Sequence, residues 1–330
     1  PRRPRPPTLP GWGAPASGVG DNGGMTVVAG TSLVVLEEDA WRERARLHAE
    51  RVDAWTEGRR ARASRGQRHP VDDFLFEYYP TRPGQLRTWH PGLGVALAGT
   101  TPWDDDPSYH RLEVDGRLVT TVDAAAFARR RDGLAWVEGL VRRTAARDGR
   151  FGCFGLHEWA MVHGLEQDEV RHRSWPLRVP PAEVEAVVDE LGLRCTHFDA
   201  FRFFTPSAAP RNELRPTRDT QPDLDQPGCL HATMDLYKWA SKYAALVGSD
   251  LVADSFGLAR DARLLDMEAA PYDLAALGVA PIRVETADGR AEYVRRQREI
   301  AAAGTGLRGR LATALASALH AVDAARDQRV

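Results

Sequence analysis

Between residues 230 and 326 apolar side chains recur at helical spacing with few breaks, and this stretch limits the chain to a helix-dominated architecture more than any other feature. It predicts helices over 230–246 and 251–269, then a helix pair over 289–303 and 307–326. Upstream, Trp41, Ala45, His48, Val52 and Trp55 fall near one face of an Arg-rich helix spanning 37–65. Pro70 sets up a second helix over 71–79, which Pro80 and Pro83 end. Asp123 is placed to cap a helix running to about 147. Residues 151–165 read as a buried helix or a helix with an irregular first turn, and 179–191 as a helix after Pro180-Pro181. Residues 193–204 fit strand or helix, and 206–228, rich in Pro, Asn and Asp, read as a long loop.

Strand signals are few. They occupy 94–97, 109–114 and 118–122, and Asp115-Gly116 between the last two predicts a β-hairpin. The expected fold is therefore mostly α with a small β element, built around a single compact core over 25–330. Residues 1–24 are dominated by Pro and then Gly, and predict a disordered tail. The globular pattern starts at Met25 with a mildly apolar run over 26–36.

Composition narrows the function. No apolar run approaches the roughly 20 residues that a membrane-spanning helix needs. The net charge of −2 over 330 residues gives no global positive field, so any nucleic-acid contact must come from a local basic face. Lys238 and Lys242 are the only lysines among 44 basic residues; the arginine excess fits both GC-rich coding and phosphate binding. Three cysteines, without C-x-x-C spacing, speak against a disulfide scaffold or a cysteine zinc site. They place the chain in a reduced, cytoplasmic setting.

Chemistry concentrates in one region. His157, His163, His172, His197 and His231 fall within a short span that also holds many of the phenylalanines, as a pocket does when read in one dimension. His157-Glu158-Trp159 is not an H-E-x-x-H motif, because the next histidine is His163, six residues on. His197 and Asp199 share a face if that segment is extended. His231 and Asp235 stack one turn apart on a helix. The expected pocket combines 154–163, 195–204 and 229–239. His69 to Asp73 reads as helix capping, and nothing in the pattern selects Asp266, Asp273 or Glu285.

The segments HPVDDFLFEYYPTRPGQLRTWHPG (69–92), FGCFGLHEWAMV (151–162), CTHFDAFRFFTP (195–206), QPGCLHATMDLYKWA (226–240), LLDMEAAPYDL (264–274) and GRAEYVRRQ (289–297) resemble a family of high-GC bacterial proteins usually labelled 3-methyladenine DNA glycosylase. The likeness extends over about 25–315 and implies hydrolysis of the N-glycosyl bond of an alkylated purine, with alkylated DNA as partner and no cofactor. The cationic base is already a good leaving group. The enzyme then needs aromatic rings to stack it and a carboxylate to stabilise the sugar cation and orient water. Glu158, Asp199 and Asp235 are the candidate carboxylates. Trp159, Phe198, Tyr237 and Trp239 are the candidate base-binding rings, and Arg171, Arg173, Arg202 and Lys238 the candidate phosphate contacts. An alternative class fits the same residues: an enzyme of small-molecule metabolism using a divalent metal or haem held by His157, His197 and His231, with Asp199 or Asp235. A non-catalytic ligand-binding protein is the third reading.

Overall fold

A computed structural model describes residues 24–28, 31–170 and 175–328. The expected tail, apart from Gly24, lies outside the described residues, as do Arg171, His172 and Arg173. Five strands form one sheet: β1 (Gly24–Val28), β2 (Thr31–Leu36), β3 (Val95–Ala98), β4 (Tyr109–Val114) and β5 (Arg117–Val122), in the order β1-β2-β3-β5-β4. Neighbours are antiparallel except β2 and β3. Those two run parallel because a helical crossover joins them: α1 (Glu38–Ala63), α2 (Phe74–Tyr78) and α3 (Pro83–Arg87). The β4–β5 hairpin turns at Asp115-Gly116, with φ of +50° and +74°, as a two-residue loop between right-twisted strands requires. β1 and β2 go beyond the sequence pattern, which shows only a mildly apolar run there.

The helical body follows. A 3₁₀ turn (Ala124–Arg130), capped by Asp123 accepting from the Ala125 amide, leads into α4 (Arg131–Ala145). Next come α5 (Leu156–Ala160), α6 (Pro181–Leu191), α7 (Phe198–Phe201), α8 (Gln221–Leu224), α9 (Leu230–Lys242), α10 (Ala244–Val247), α11 (Ser249–Ala269) and α12 (Ala287–Asp327). α9, α11 and α12 pack against one another, and α12 packs along α4. The mostly α reading with a small β element holds. Among the described residues no helix is long and apolar enough to cross a membrane.

The expected break in the last helix pair is absent: α12 is continuous through Gly304, Gly306 and Gly309. Its buried stripe of Ile300, Leu307, Leu311, Leu315 and Val322 continues across the glycines at helical spacing. Gly304 is there for close approach, since a Cβ would lie 3.3 Å from Thr233 Cγ2 on α9. The 151–165 helix is reduced to α5, because Phe154 and Gly155 ahead of it take φ of +47° and +72°. The 71–79 helix shrinks to α2.

The sheet is tied to the helices at two points. Trp41 Nε1 on α1 donates to the Ala98 carbonyl at 2.9 Å. His90, stacked on Trp103 with centroids 4.4 Å apart, shares a 2.8 Å hydrogen bond between Nδ1 and the Tyr109 hydroxyl, while its carbonyl accepts from the Ser249 amide of α11. Burial pushes the His90 imidazole down to about 4.

Two outcomes follow. A methyl group added at Gly306 would meet no atom within 4 Å, so Gly306→Ala should stabilise the protein by about 0.5–1 kcal/mol in urea unfolding if α12 is one helix; a loop there would give no gain. The unfolded state binds a proton on His90 near pH 6.5 while the folded state resists it until about 4. Stability should therefore fall as pH drops through that window, by up to about 3 kcal/mol from this group, and urea midpoints measured against pH should flatten in His90→Asn.

Candidate functional site

The site begins at the turn before α5. Gly155 in the left-handed region brings the chain so close to α11 and α12 that a Cβ would meet Ala269 Cβ at 3.0 Å and Tyr293 Cε2 at 3.2 Å. That approach buries His157 and Glu158, neighbours on the first turn of α5, against α11. α11 supplies Arg263 and Asp266, one turn apart. α9 supplies His231, Asp235 and Lys238, and the turn into α7 supplies His197 and Asp199.

These side chains form one connected network. Arg263, 1% exposed, lies with Nη1 2.7 Å from Glu158 Oε1 and 2.7 Å from Asp266 Oδ2. Its guanidinium sits 3.8 Å from the Phe74 ring centroid. Asp266 Oδ1 is 2.6 Å from His157 Nε2. The His157 ring stands edge-on to His231, centroids 4.4 Å apart, and His231 stacks on His197 at 5.4 Å. His197 Nε2 is 3.5 Å from Asp235 Oδ2. Asp235 Oδ1 accepts from the Tyr79 hydroxyl at 2.8 Å. Lys238 Nζ donates to Asp199 at 2.8 Å and to Asp235 at 3.2 Å, and Arg202 Nε lies 3.1 Å from Asp199.

Charges this deep persist only when paired. Burial works to raise the Asp266 carboxyl, but His157 and Arg263 beside it hold it well below the usual carboxylate range. Burial acts likewise on Asp235, and Lys238, His197 and the Tyr79 hydroxyl overcome it. For His231, burial and the neighbouring His157 outweigh the pull of Asp266 and press the imidazole far below its ordinary range.

Two cavities meet at this network. The wider, about 440 Å³, is lined by Phe74, Tyr78, Glu158, Met161, Asp199, Phe203, His231, Arg263 and Tyr272, with Glu77 and Glu169 at exposed positions. The narrower, about 210 Å³, is lined by Cys153, His157, Cys195, Cys229, His231 and Tyr293 among others. His231 lines both. The three segments expected to build a pocket all contribute to these walls.

Individual candidates sort differently. Glu158 and Asp199 line the wide cavity; Asp235 does not, being enclosed by Tyr79, Lys238 and His197. The expectation that Trp159, Tyr237 and Trp239 stack a base is not met by their positions. Trp159 is fully buried, with Nε1 donating to the Ala269 carbonyl. Tyr237 packs edge-on against Tyr79 and Phe256, and Trp239 against Trp136. Phe198 is half-buried and does not line the cavity. Phe74, Tyr78 and Phe203 take the lining positions instead. Lys238 is engaged by two carboxylates rather than presented to a phosphate, Arg202 is exposed, and Arg171 and Arg173 lie outside the described residues. His157 and His231 come together as the metal alternative requires, but the third donor beside them is Asp266, not His197.

The sequence pattern does not single out Asp266 or Arg263. Arg263 and Asp266 are two of seven charged residues on α11, so spacing alone does not mark them as the buried pair. Comparison with protein-family models, curated proteins and solved structures finds no match for the chain.

Among the described residues, the Tyr79 hydroxyl is the neutral donor to buried Asp235. Tyr79→Phe should cost about 1–3 kcal/mol of stability, read as a lower urea midpoint with unchanged slope.

Proposed function

We propose that the chain hydrolyses the N-glycosyl bond of a cationic alkylated purine, of the 3-methyladenine type, bound in the wide cavity. The observation that carries this reading is the composition of that cavity's wall. Phe74 and Tyr78 lie stacked, centroids 5.0 Å apart and 11° from parallel, and with Phe203 they line the space a charged base would enter, Phe74 and Phe203 already holding the guanidinium groups of Arg263 and Arg202 by the same cation–π attraction. Beside them stand the carboxylates Glu158 and Asp199. The volume of about 440 Å³ lies in the range of small-ligand sites.

An N3-alkylated adenine departs as a neutral molecule, so strong general acid catalysis is unnecessary. What the reaction asks of the protein is negative charge near the developing sugar cation and an oriented water. Asp199 suits this role, because its side chain is 19% exposed while its salt bridges to Lys238 and Arg202 keep it in place. Glu158, fixed by Arg263, is the second carboxylate on the same wall. Asp235 acts at one remove as a positioning residue: it holds Lys238, and Lys238 holds Asp199. Arg202, exposed beside Asp199, is the phosphate contact that remains among the described candidates.

The test is release of 3-methyladenine from methylated DNA, with base release quantified by chromatography. Asp199→Asn should lower the rate about 100-fold or more, while His110→Gln, exposed on β4, should leave it unchanged. Folded wild-type protein that releases no base from DNA overturns the reading.

A further inference from the structure

We infer that His157, His231 and Asp266 bind a single first-row divalent metal ion, of the zinc or iron(II) class, in the wall between the two cavities. The inference goes beyond the proposed reaction and does not depend on it.

The donors come from three separate helices, α5, α9 and α11. Each offers one ligand atom, and these atoms all lie within 4.8 Å of one another. Donors about 2.0–2.2 Å from a common ion stand at most about 4.4 Å apart, so side-chain rotations that draw the three atoms in by roughly an ångström complete the geometry. All three residues are buried, at 7%, 6% and 0% exposure. Polar groups at that depth are costly unless each finds a partner.

A second observation points the same way. His157 Nε2 and Asp266 Oδ1 are only 2.6 Å apart, yet both atoms lack a hydrogen-bond partner. The two are close without being aligned as donor and acceptor, and an ion that displaces the proton of His157 and spreads the pair slightly takes a lone pair from each. The Tyr293 hydroxyl, on the narrow cavity's wall, is likewise buried without a hydrogen-bond partner.

The surroundings suit an ion. Arg263 engages Asp266 Oδ2, which leaves Oδ1 directed toward His157, and such outer contacts are what orient a ligating carboxylate. With Glu158 and Asp266 balanced against one Arg263, the buried group has room for positive charge. Two imidazoles and one carboxylate select zinc or a first-row transition ion over magnesium or calcium, which prefer all-oxygen shells. Three protein donors leave coordination positions open, and His231 borders both cavities, so the open side faces space that water or substrate can enter. An ion here supplies a Lewis-acidic centre that lowers the pKa of bound water.

The experiment uses the whole chain, stripped with chelator and dialysed. Zn²⁺, Co²⁺, anaerobic Fe²⁺ and Mg²⁺ are titrated separately by calorimetry, with bound metal counted by mass spectrometry. One Zn²⁺, Co²⁺ or Fe²⁺ per chain is expected, with Co²⁺ giving visible d–d bands, and Mg²⁺ at least 100-fold weaker. His231→Gln should weaken binding at least 100-fold; it breaks no salt bridge, so it keeps the test intact if Asp266→Asn fails to fold. His163→Gln should bind as wild type. Less than one-tenth of an ion per folded chain, unchanged affinity in His231→Gln, or preference for Mg²⁺ would each overturn the inference. None of these readouts involves base excision, so the two proposals fail separately.

Discussion

The guanidinium of Arg263 joins two carboxylates from different helices, Glu158 of α5 and Asp266 of α11, and all three groups are almost fully buried. Removing one member of such a group leaves an uncompensated buried charge, a loss of about 3–5 kcal/mol. The rest of the site depends on it. Asp266 fixed by Arg263 places its free oxygen against His157, and Glu158 fixed by Arg263 becomes part of the wide cavity's wall. Phe74 of α2, under the same guanidinium, ties in the crossover between β2 and β3.

From that anchor the network runs through three imidazoles to a second charged group around Asp235. The first group is almost fully buried, with Glu158 and Arg263 reaching the wide cavity's wall. The second reaches outward through Lys238 to Asp199 and Arg202, at the mouth of the wide cavity. His231 is the link between them: it borders both cavities, contacts histidines on either side, and keeps a neutral ring because burial and His157 outweigh Asp266. A partition made of one imidazole between an aromatic chamber and a thiol-lined chamber gives one centre two approaches.

The sequence makes much of this readable. Helical spacing and the Pro, Asp and Gly signals locate most long helices and the β4–β5 hairpin, because those signals are local. The histidine clustering marks segments that do meet. The individual roles are less legible. Trp159, Tyr237 and Trp239 have the composition of a stacking platform, but ring direction depends on which helix face meets which neighbour, and all three turn into the core. Gly304 and Gly306 read as a break, because a sequence does not show that Thr233 needs the space a side chain would fill.

Residue order alone settled that this chain is helix-rich, that it holds a small β element with a tight hairpin, and that histidine, acid and aromatic side chains are concentrated between 151 and 240. These follow from periodicity and turn chemistry over a few residues. Only the tertiary structure decided that Asp266 and Arg263 complete the centre, that His197 answers to Asp235 instead, and that Phe74, Tyr78 and Phe203 form the cavity wall. Those pairings span tens to more than a hundred positions along the chain. They are set by how α2, α5, α9 and α11 pack, a contact pattern on which local spacing carries no information.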